Sequence, residues 1–311
     1  MVQSNISRRR VFIVLNPVSG IYNPKTIRKK IEQSFSKAGW EYSIYETTGR
    51  ENLAKLVETR VSEGYDLVVA AGGDGTVSSV AGGLVHYDIP IGFIPTGTWN
   101  ALARNLGIPI IVDRAIQLIL NDHKYRKIDA LQLGERYFLL NISVGISSAM
   151  IQGTGRQQKR RFGFAAYGLN LIKQLFGLKL RHFRIKIDDE SIEIKASEIM
   201  VVNSSLVGIG ELPTKLNIHP DDGIFEVLMV RDQTLMGYLS VAWNALVRRE
   251  KKTPLFACLG GSKKVTIQSK EGLPVQGDGE VIGKTPVEIR MIPSAVRVCV
   301  PIQRSILPIL Q

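Results

Sequence analysis

Within residues 11–120, short apolar runs alternate with stretches whose apolar residues recur at helical spacing, and this alternation leaves few architectures open. Val11-Phe12-Ile13-Val14-Leu15 is apolar throughout, as a strand covered on both faces must be. Ile27, Ile31, Phe35 and Ala38 then share one stripe of a predicted helix, with charged residues between them. Residues 42–45 read as a second strand, Leu53, Leu56, Val57 and Val61 mark a second helix, and residues 66–71 form a third strand. A helix over residues 77–85, with Val80, Ala81 and Leu84 inward, and a strand over 89–94 complete the series. The order β-α-β-α-β-α-β predicts a parallel sheet with helices on both faces.

The pattern changes near Lys127. Short apolar runs now alternate with turns, at residues 131–133, 137–144, 184–187, 191–194, 199–203, 225–230, 264–268 and 287–292. Such spacing predicts an antiparallel sheet or sandwich, interrupted by helical stretches at 165–176 and 235–249. The expected organisation is an α/β domain over residues 1–124 and a mainly β domain over 125–293, with the tail 294–311 packing back on the first. No internal repeat or low-complexity segment is present.

Composition removes several classes. Cys258 and Cys299 are the two cysteines of the 311 residues and have no metal-ligand spacing, so no disulfide framework is expected and a reducing, cytoplasmic setting is. The polar, basic start lacks the apolar core of a secretory signal, and no run reaches the ~18 apolar residues of a membrane span. The net charge of +12 gathers at residues 8–10, 29–30, 159–161, 179–186 and 248–252. Such clusters suit a membrane surface, a polyphosphate or nucleic acid, or serve simply as solvated faces. No helix-turn-helix or zinc-finger pattern accompanies them, so nucleic acid is not the expected partner.

The third strand runs into Gly72-Gly73-Asp74-Gly75-Thr76, which opens a helix. Glycines let the backbone turn and approach a ligand, and the amides at a helix start attract anionic oxygens. By itself this also describes a tight turn required only for packing. Asp74 is the informative residue, because a carboxylate in an anion site needs a cation or a proton. Two further loops, Asn16-Pro17-Val18-Ser19-Gly20 and Pro95-Thr96-Gly97-Thr98-Trp99-Asn100, follow the first and fourth strands and should reach the same sheet edge.

Taken together, Asn16-Pro17-x-Ser19-Gly20, Gly72-Gly73-Asp74-Gly75-Thr76 and Pro95-x-Gly97-Thr98-x-Asn100, continuing through Ala103-Arg104-x-Leu106-Gly107-Ile108-Pro109, resemble the diacylglycerol kinase catalytic domain. That superfamily includes bacterial lipid kinases, sphingosine kinases and ceramide kinases. The likeness continues at Asp129, at residues 138–145, at Arg161-Phe162-Gly163, at Pro220-Asp221-Asp222-Gly223 and at Gln276-Gly277-Asp278-Gly279-Glu280. It implies an ATP-dependent lipid kinase with its active site in a cleft between two domains, and no Walker sequence is present.

Carried onto this sequence, the resemblance implies nucleotide contacts from Asn16, Pro17, Ser19, Gly20, Thr47, residues 72–76, Gly97, Thr98 and Asn100. It implies Asp74 acting through Mg²⁺, a structural Mg²⁺ at Asp221 and Asp222, and Asp278 as general base supported by Glu280. Sphingosine kinases suggest the Asp74 position as the base instead, so both assignments stand. Read from the residues alone, Gly277-Asp278-Gly279 is equally a hairpin turn, and Asp221-Asp222 a solvated one. The chain departs from the family at Ser78 and Ser79, where asparagine and glutamate are usual, and at 145–148, which lack an aspartate.

A lipid acceptor implies peripheral contact with a membrane surface, and residues 159–176 combine positive charge with apolar bulk as interfacial helices do. The enzyme alternative is an NAD kinase-like phosphotransferase; the non-enzyme alternative is a weakly catalytic, lipid-binding regulatory protein. Oligomeric state is open, a homodimer included.

Overall fold

The structure is a computed structural model. It describes residues 9–20, 22–121, 123–145, 180–204, 206–207, 210–211, 218–231 and 256–302. The chain divides into two compact units, Met1–Ile128 with Ser294–Gln311, and Asp129–Pro293. The predicted features at 146–148, 159–176 and 235–252 lie outside the described residues.

In the first unit the elements are β1 (Arg10–Leu15), α1 (Pro24–Lys37), β2 (Glu41–Glu46), α2 (Leu53–Val61), β3 (Leu67–Gly72), α3 (Asp74–Gly82), β4 (Ile91–Pro95), α4 (Ala101–Asn105) and α5 (Val112–Leu120). The strands pair in parallel in the order β2-β1-β3-β4. Asn23 caps α1 by accepting the Lys25 amide at 3.0 Å, and Pro24 takes the first helical position, where no N–H is required. Its stripe of Ile27, Ile31 and Phe35 packs with Ile116 and Ile119 of α5 on Val11, Ile13, Leu67 and Val69. The alternate strand residues Phe12, Val14, Val68 and Ala70 are equally buried, so β1 and β3 are covered on both faces. Truncating one of these large apolar residues to alanine costs about 2–5 kcal/mol.

Two features differ from expectation. α3 begins at Asp74 rather than 77, because the glycine-rich loop itself winds into the first turn, with Gly73 as N-cap. α4 and α5 were not among the predicted elements, although Val112, Ala115, Ile116 and Ile119 carry helical spacing.

The second unit is antiparallel. β5 (His123–Leu133) leads into it and is followed by β6 (Arg136–Phe138), β7 (Asn141–Gly145), β8 (Arg181–Ile187), β9 (Glu190–Ala196) and β10 (Glu198–Val202). Then come β11 (Leu206–Val207), β12 (Gly210–Glu211), β13 (Phe225–Val230), β14 (Phe256–Gly261), β15 (Lys264–Ser269), β16 (Pro274–Gly277), β17 (Glu280–Lys284) and β18 (Val287–Pro301). One layer pairs β18 with β15, β15 with β8 and β8 with β9; the other runs β14-β13-β10-β7-β16-β17. Phe183, Ile185, Val265 and Ile289 of the first layer share a core with Ile142, Val144, Ile199, Val227 and Val275 of the second. The end of β18 belongs to the first unit, where Val298 pairs in parallel with Ile91 of β4.

The apolar run 137–144 is not one strand. It breaks between Phe138 and Asn141, because the amides of Leu139, Leu140 and Asn141 turn toward the Asp278 carboxylate.

On β13, Phe225, Val227 and Met229 face the core, so Glu226 faces away from it, yet it is only 9% exposed. Its Oε2 has no hydrogen-bond partner among the described residues. Burial, reinforced by the negative charge of Asp222, pushes this carboxyl from 4.5 up to about 7. A raised carboxyl favours the folded state while protonated. Its contribution is full below pH 4.5 and is lost as pH rises through about 7. Glu226→Gln should therefore gain thermal midpoint relative to wild type across that window and above it. Wild-type and variant midpoints that stay parallel with pH would exclude an ionising, buried Glu226.

Candidate active site

Three loops at the carboxyl ends of β1, β3 and β4 interlock within the first unit. Asn16 donates from Nδ2 to Thr76 Oγ1 at 2.8 Å and accepts the Val18 amide on Oδ1 at 3.1 Å. Ser19 Oγ lies 3.5 Å, and the Gly97 Cα 3.3 Å, from where a Cβ on Gly73 would stand. Gly20 has φ +66°, and a Cβ there would meet the Thr96 carbonyl oxygen at 1.9 Å. Gly20 is required by close backbone approach as well as by its conformation, while a Cβ on Gly73 would be tight against Gly97. Thr47, buried at the end of β2, joins the same edge by donating its amide to Leu15 O at 2.9 Å.

Asn100 adopts the left-handed conformation and closes its own loop, accepting the Gly97 amide at 3.0 Å and donating to the Gly97 carbonyl at 2.9 Å. The side chains of Asn16, Thr76 and Asn100 thus build the loops. Thr98 is exposed beside them, as is Trp99. Pro17 stands in the turn between Asn16 and Ser19, whose amide donates to Asn16 O. Gly72 packs against Thr76, Gly75 sits in the first turn of α3, and Ser78 is buried just behind it.

Asp74 is directed at the backbone. Its Oδ2 accepts the Ala101 amide at 3.1 Å and its Oδ1 the Leu102 amide at 3.0 Å, which ties α3 to the start of α4. Burial pushes its carboxyl above the ordinary value; the two amides and the Arg104 charge oppose that shift.

In the second unit, Asp278 and Gly279 form a two-residue hairpin between β16 and β17, with φ +46° and +88°. Positive φ at both positions is the I′ turn that matches strand twist, so the hairpin reading of this motif is realised. The Asp278 carboxylate also accepts three amides, from Leu139 (2.9 Å), Leu140 (3.2 Å) and Asn141 (2.9 Å). Gln276 lies behind, donating to Asn141 Oδ1 at 3.0 Å and Ser143 Oγ at 2.8 Å and accepting the Gly279 amide at 2.8 Å. Glu280 is half-buried and paired with Arg136 at 2.8 Å.

Asp129 is almost fully buried; its carboxylate accepts the Gly223 amide at 2.7 Å, and its own amide donates to Pro220 O at 2.6 Å. It thereby anchors the turn carrying Asp221 and Asp222. Asp222 Oδ1 accepts the Ile224 amide at 3.0 Å. Among the described residues no group of three or more His, Cys, Asp or Glu converges on a cation position. Asn141, Ser143 and Asn203 are buried members of this polar network; the first two lie in the 138–145 likeness, where no role was assigned to them, and motif reading passed over Asn203, which lies in a strand-like run with no motif spacing.

Residues 10–133 match the diacylglycerol kinase catalytic domain, and residues 141–300 match the YegS C-terminal NAD kinase beta sandwich-like domain. An uncharacterized protein of Synechocystis sp. is 32% identical over 94% of this chain and 70% of its own length. The diacylglycerol kinase of Bacillus subtilis is 27% identical over 96% of this chain and 98% of its own. A solved diacylglycerol kinase structure from Bacillus anthracis str. Sterne shares the fold with a TM-score of 0.75 at 24% identity, covering 94% of this chain and 96% of that one. The chain belongs to the diacylglycerol kinase catalytic-domain family, a family of diacylglycerol kinase-like lipid kinases.

The loop junction is testable without any substrate. Gly20→Ala should lower the unfolding free energy of the first unit by about 2 kcal/mol or more, through its φ and its clash with Thr96 O. An unchanged urea midpoint would mean that these loops are not in contact.

Proposed function

We propose that this chain is an ATP-dependent kinase that phosphorylates a hydroxyl group of a lipid such as diacylglycerol. The observation that carries this reading is the interlocked loop trio. Gly73 caps α3 with no side-chain hydrogen bond, and Gly73 and Gly97 bring the backbones of two loops together at the start of that helix. The amides of its first turn, at the positive end of a nine-residue helix, would receive phosphate oxygens.

Magnesium, when bound with the nucleotide, would neutralise charge on the transferring phosphoryl group. Asp74 accepts one amide on each oxygen and so keeps further lone pairs for such an ion or its waters. A cation would also offset the burial that raises its carboxyl. Asp222 Oδ2 and the Asp221 carboxylate would hold a second, structural magnesium. That ion keeps most of its waters and takes only one or two carboxylates.

Asp278 is assigned the proton of the acceptor hydroxyl. Its three amide contacts hold one orientation, and the Glu280–Arg136 pair braces the adjoining strand. Asp74 is the competing base, favoured by the burial that shifts its carboxyl toward the range a base needs. A lipid acceptor implies peripheral contact with a membrane, and no described helix is long and apolar enough to cross one.

Labelled ATP offered with diacylglycerol, sphingosine and NAD should label a lipid. Asp278→Asn and Asp74→Asn should each reduce turnover about 100-fold or more while leaving the thermal midpoint of the other unit unchanged. Label appearing on NAD alone would overturn the lipid reading. Near-wild-type turnover in Asp278→Asn would move the base to Asp74.

A further inference from the structure

Asn203 follows β10 and is fully buried, and its position relative to Asp278 is unusual. Its Nδ2 donates to Leu139 O at 3.3 Å and to Asp129 O at 3.1 Å, while its backbone amide donates to Leu140 O at 2.9 Å. In a trans peptide the carbonyl of one residue and the N–H of the next point in opposite directions from one rigid plane. The peptide joining Leu139 to Leu140 therefore meets Asn203 at its oxygen and Asp278 at its nitrogen. The peptide joining Leu140 to Asn141 meets the Asn203 amide at its oxygen and Asp278 at its nitrogen. Both planes are gripped from opposite edges by the same two residues.

This explains the residue type. Two carbonyls converge on the Asn203 side chain, so the group between them must donate twice, and a carboxamide nitrogen does so while remaining compact and uncharged. The same demand fixes which end of the amide is nitrogen. The Oδ1 is left buried with no hydrogen-bond partner among the described residues, so the side chain is set by its two donated bonds. A serine would supply one donor and an alanine none.

We propose that Asn203 is a positioning residue for Asp278: its side chain, holding the Leu139–Leu140 plane beside the backbone bond that holds the next one, sets the direction of the N–H groups that orient the carboxylate. The proposal rests on the reading of Asp278 as the general base. Asn203 touches neither substrate nor reacting atoms and acts only through residues 139–141.

The test uses the full chain as wild type, Asn203→Ala, Asn203→Ser, Asp278→Asn and the Asn203→Ala/Asp278→Asn double variant. Turnover and KM for ATP are measured with a lipid acceptor, and amide hydrogen exchange is followed at residues 139–141. Asn203→Ala should lower kcat about 10- to 100-fold with KM for ATP changed less than about twofold, as expected for a misdirected base. Asn203→Ser, with one donor restored, should fall between wild type and alanine. In the Asp278→Asn background, Asn203→Ala should cause no further loss, because the group it positions is already disabled. Exchange at the 139–141 amides should quicken in both Asn203 variants.

An equal loss in both backgrounds would overturn the proposal by showing a general structural effect. Unchanged exchange at residues 139–141 would overturn the positioning itself. If Asp278→Asn retains wild-type turnover, the base reading fails, a result distinguishable because exchange reports on the peptide planes independently of catalysis. Should the alanine variant not fold, the serine variant carries the same measurements.

Discussion

The Ala101 and Leu102 amides reach the Asp74 carboxylate across 3.1 and 3.0 Å, and through them the first turn of α3 and the first turn of α4 become one assembly. Helix starts leave N–H groups without intrahelical acceptors, and burying them unpaired would be costly. The Asp74 side chain meets that demand at the start of α4, whose N-cap Asn100 directs its own Oδ1 to the Gly97 amide instead. The remaining contacts follow from this closure. Gly73 can approach Gly97 only with no Cβ between them, and Gly20 can lie against Thr96 O only as glycine. Asn16 and Asn100 then complete the loops with their own amides.

The second unit uses the same device with a different topology. A carboxylate at residue 278 gathers three successive amides, which interrupts the strand that the apolar run 137–144 would otherwise form. Those N–H groups cannot serve both a sheet ladder and the carboxylate. The positive φ at Asp278 and Gly279 permits the tight hairpin that brings the carboxylate to them. Asp129 does similar work for residues 220–223, and Asn203 joins the two corners by donating to Asp129 O and Leu139 O. Asp74, Asp129 and Asp278 are therefore first of all organisers of peptide groups. The chemistry proposed for Asp74 and Asp278 uses carboxylates that are already oriented.

The fold was legible where patterning is local. Val11-Phe12-Ile13-Val14-Leu15 had to be a strand covered twice, and it is. The glycine-rich loops were legible as loops, and their order carried the family resemblance. Less legible was the extent of α3, because a glycine-rich sequence gives little sign that it will wind into a helical turn. The break at Leu139-Leu140 was invisible, since its cause, Asp278, lies far along the chain. Glu226 gave no sign either: a glutamate in an apolar strand reads as its solvent face, yet here it is buried with its carboxyl raised to about 7.

The sequence by itself determined the two-part architecture, the sheet types and the loops that mark a lipid-kinase family. Periodicity and short motifs are local properties, written within a few residues of each element. Only the tertiary structure decided what the polar side chains of those motifs do. Whether an asparagine faces a ligand or closes a loop depends on which distant peptide groups lack partners, and that is known only once the chain has folded. Asn16 and Asn100 bind their own loops, Asp74 and Asp278 hold amides from other segments, and Asn203 grips the planes that Asp278 uses.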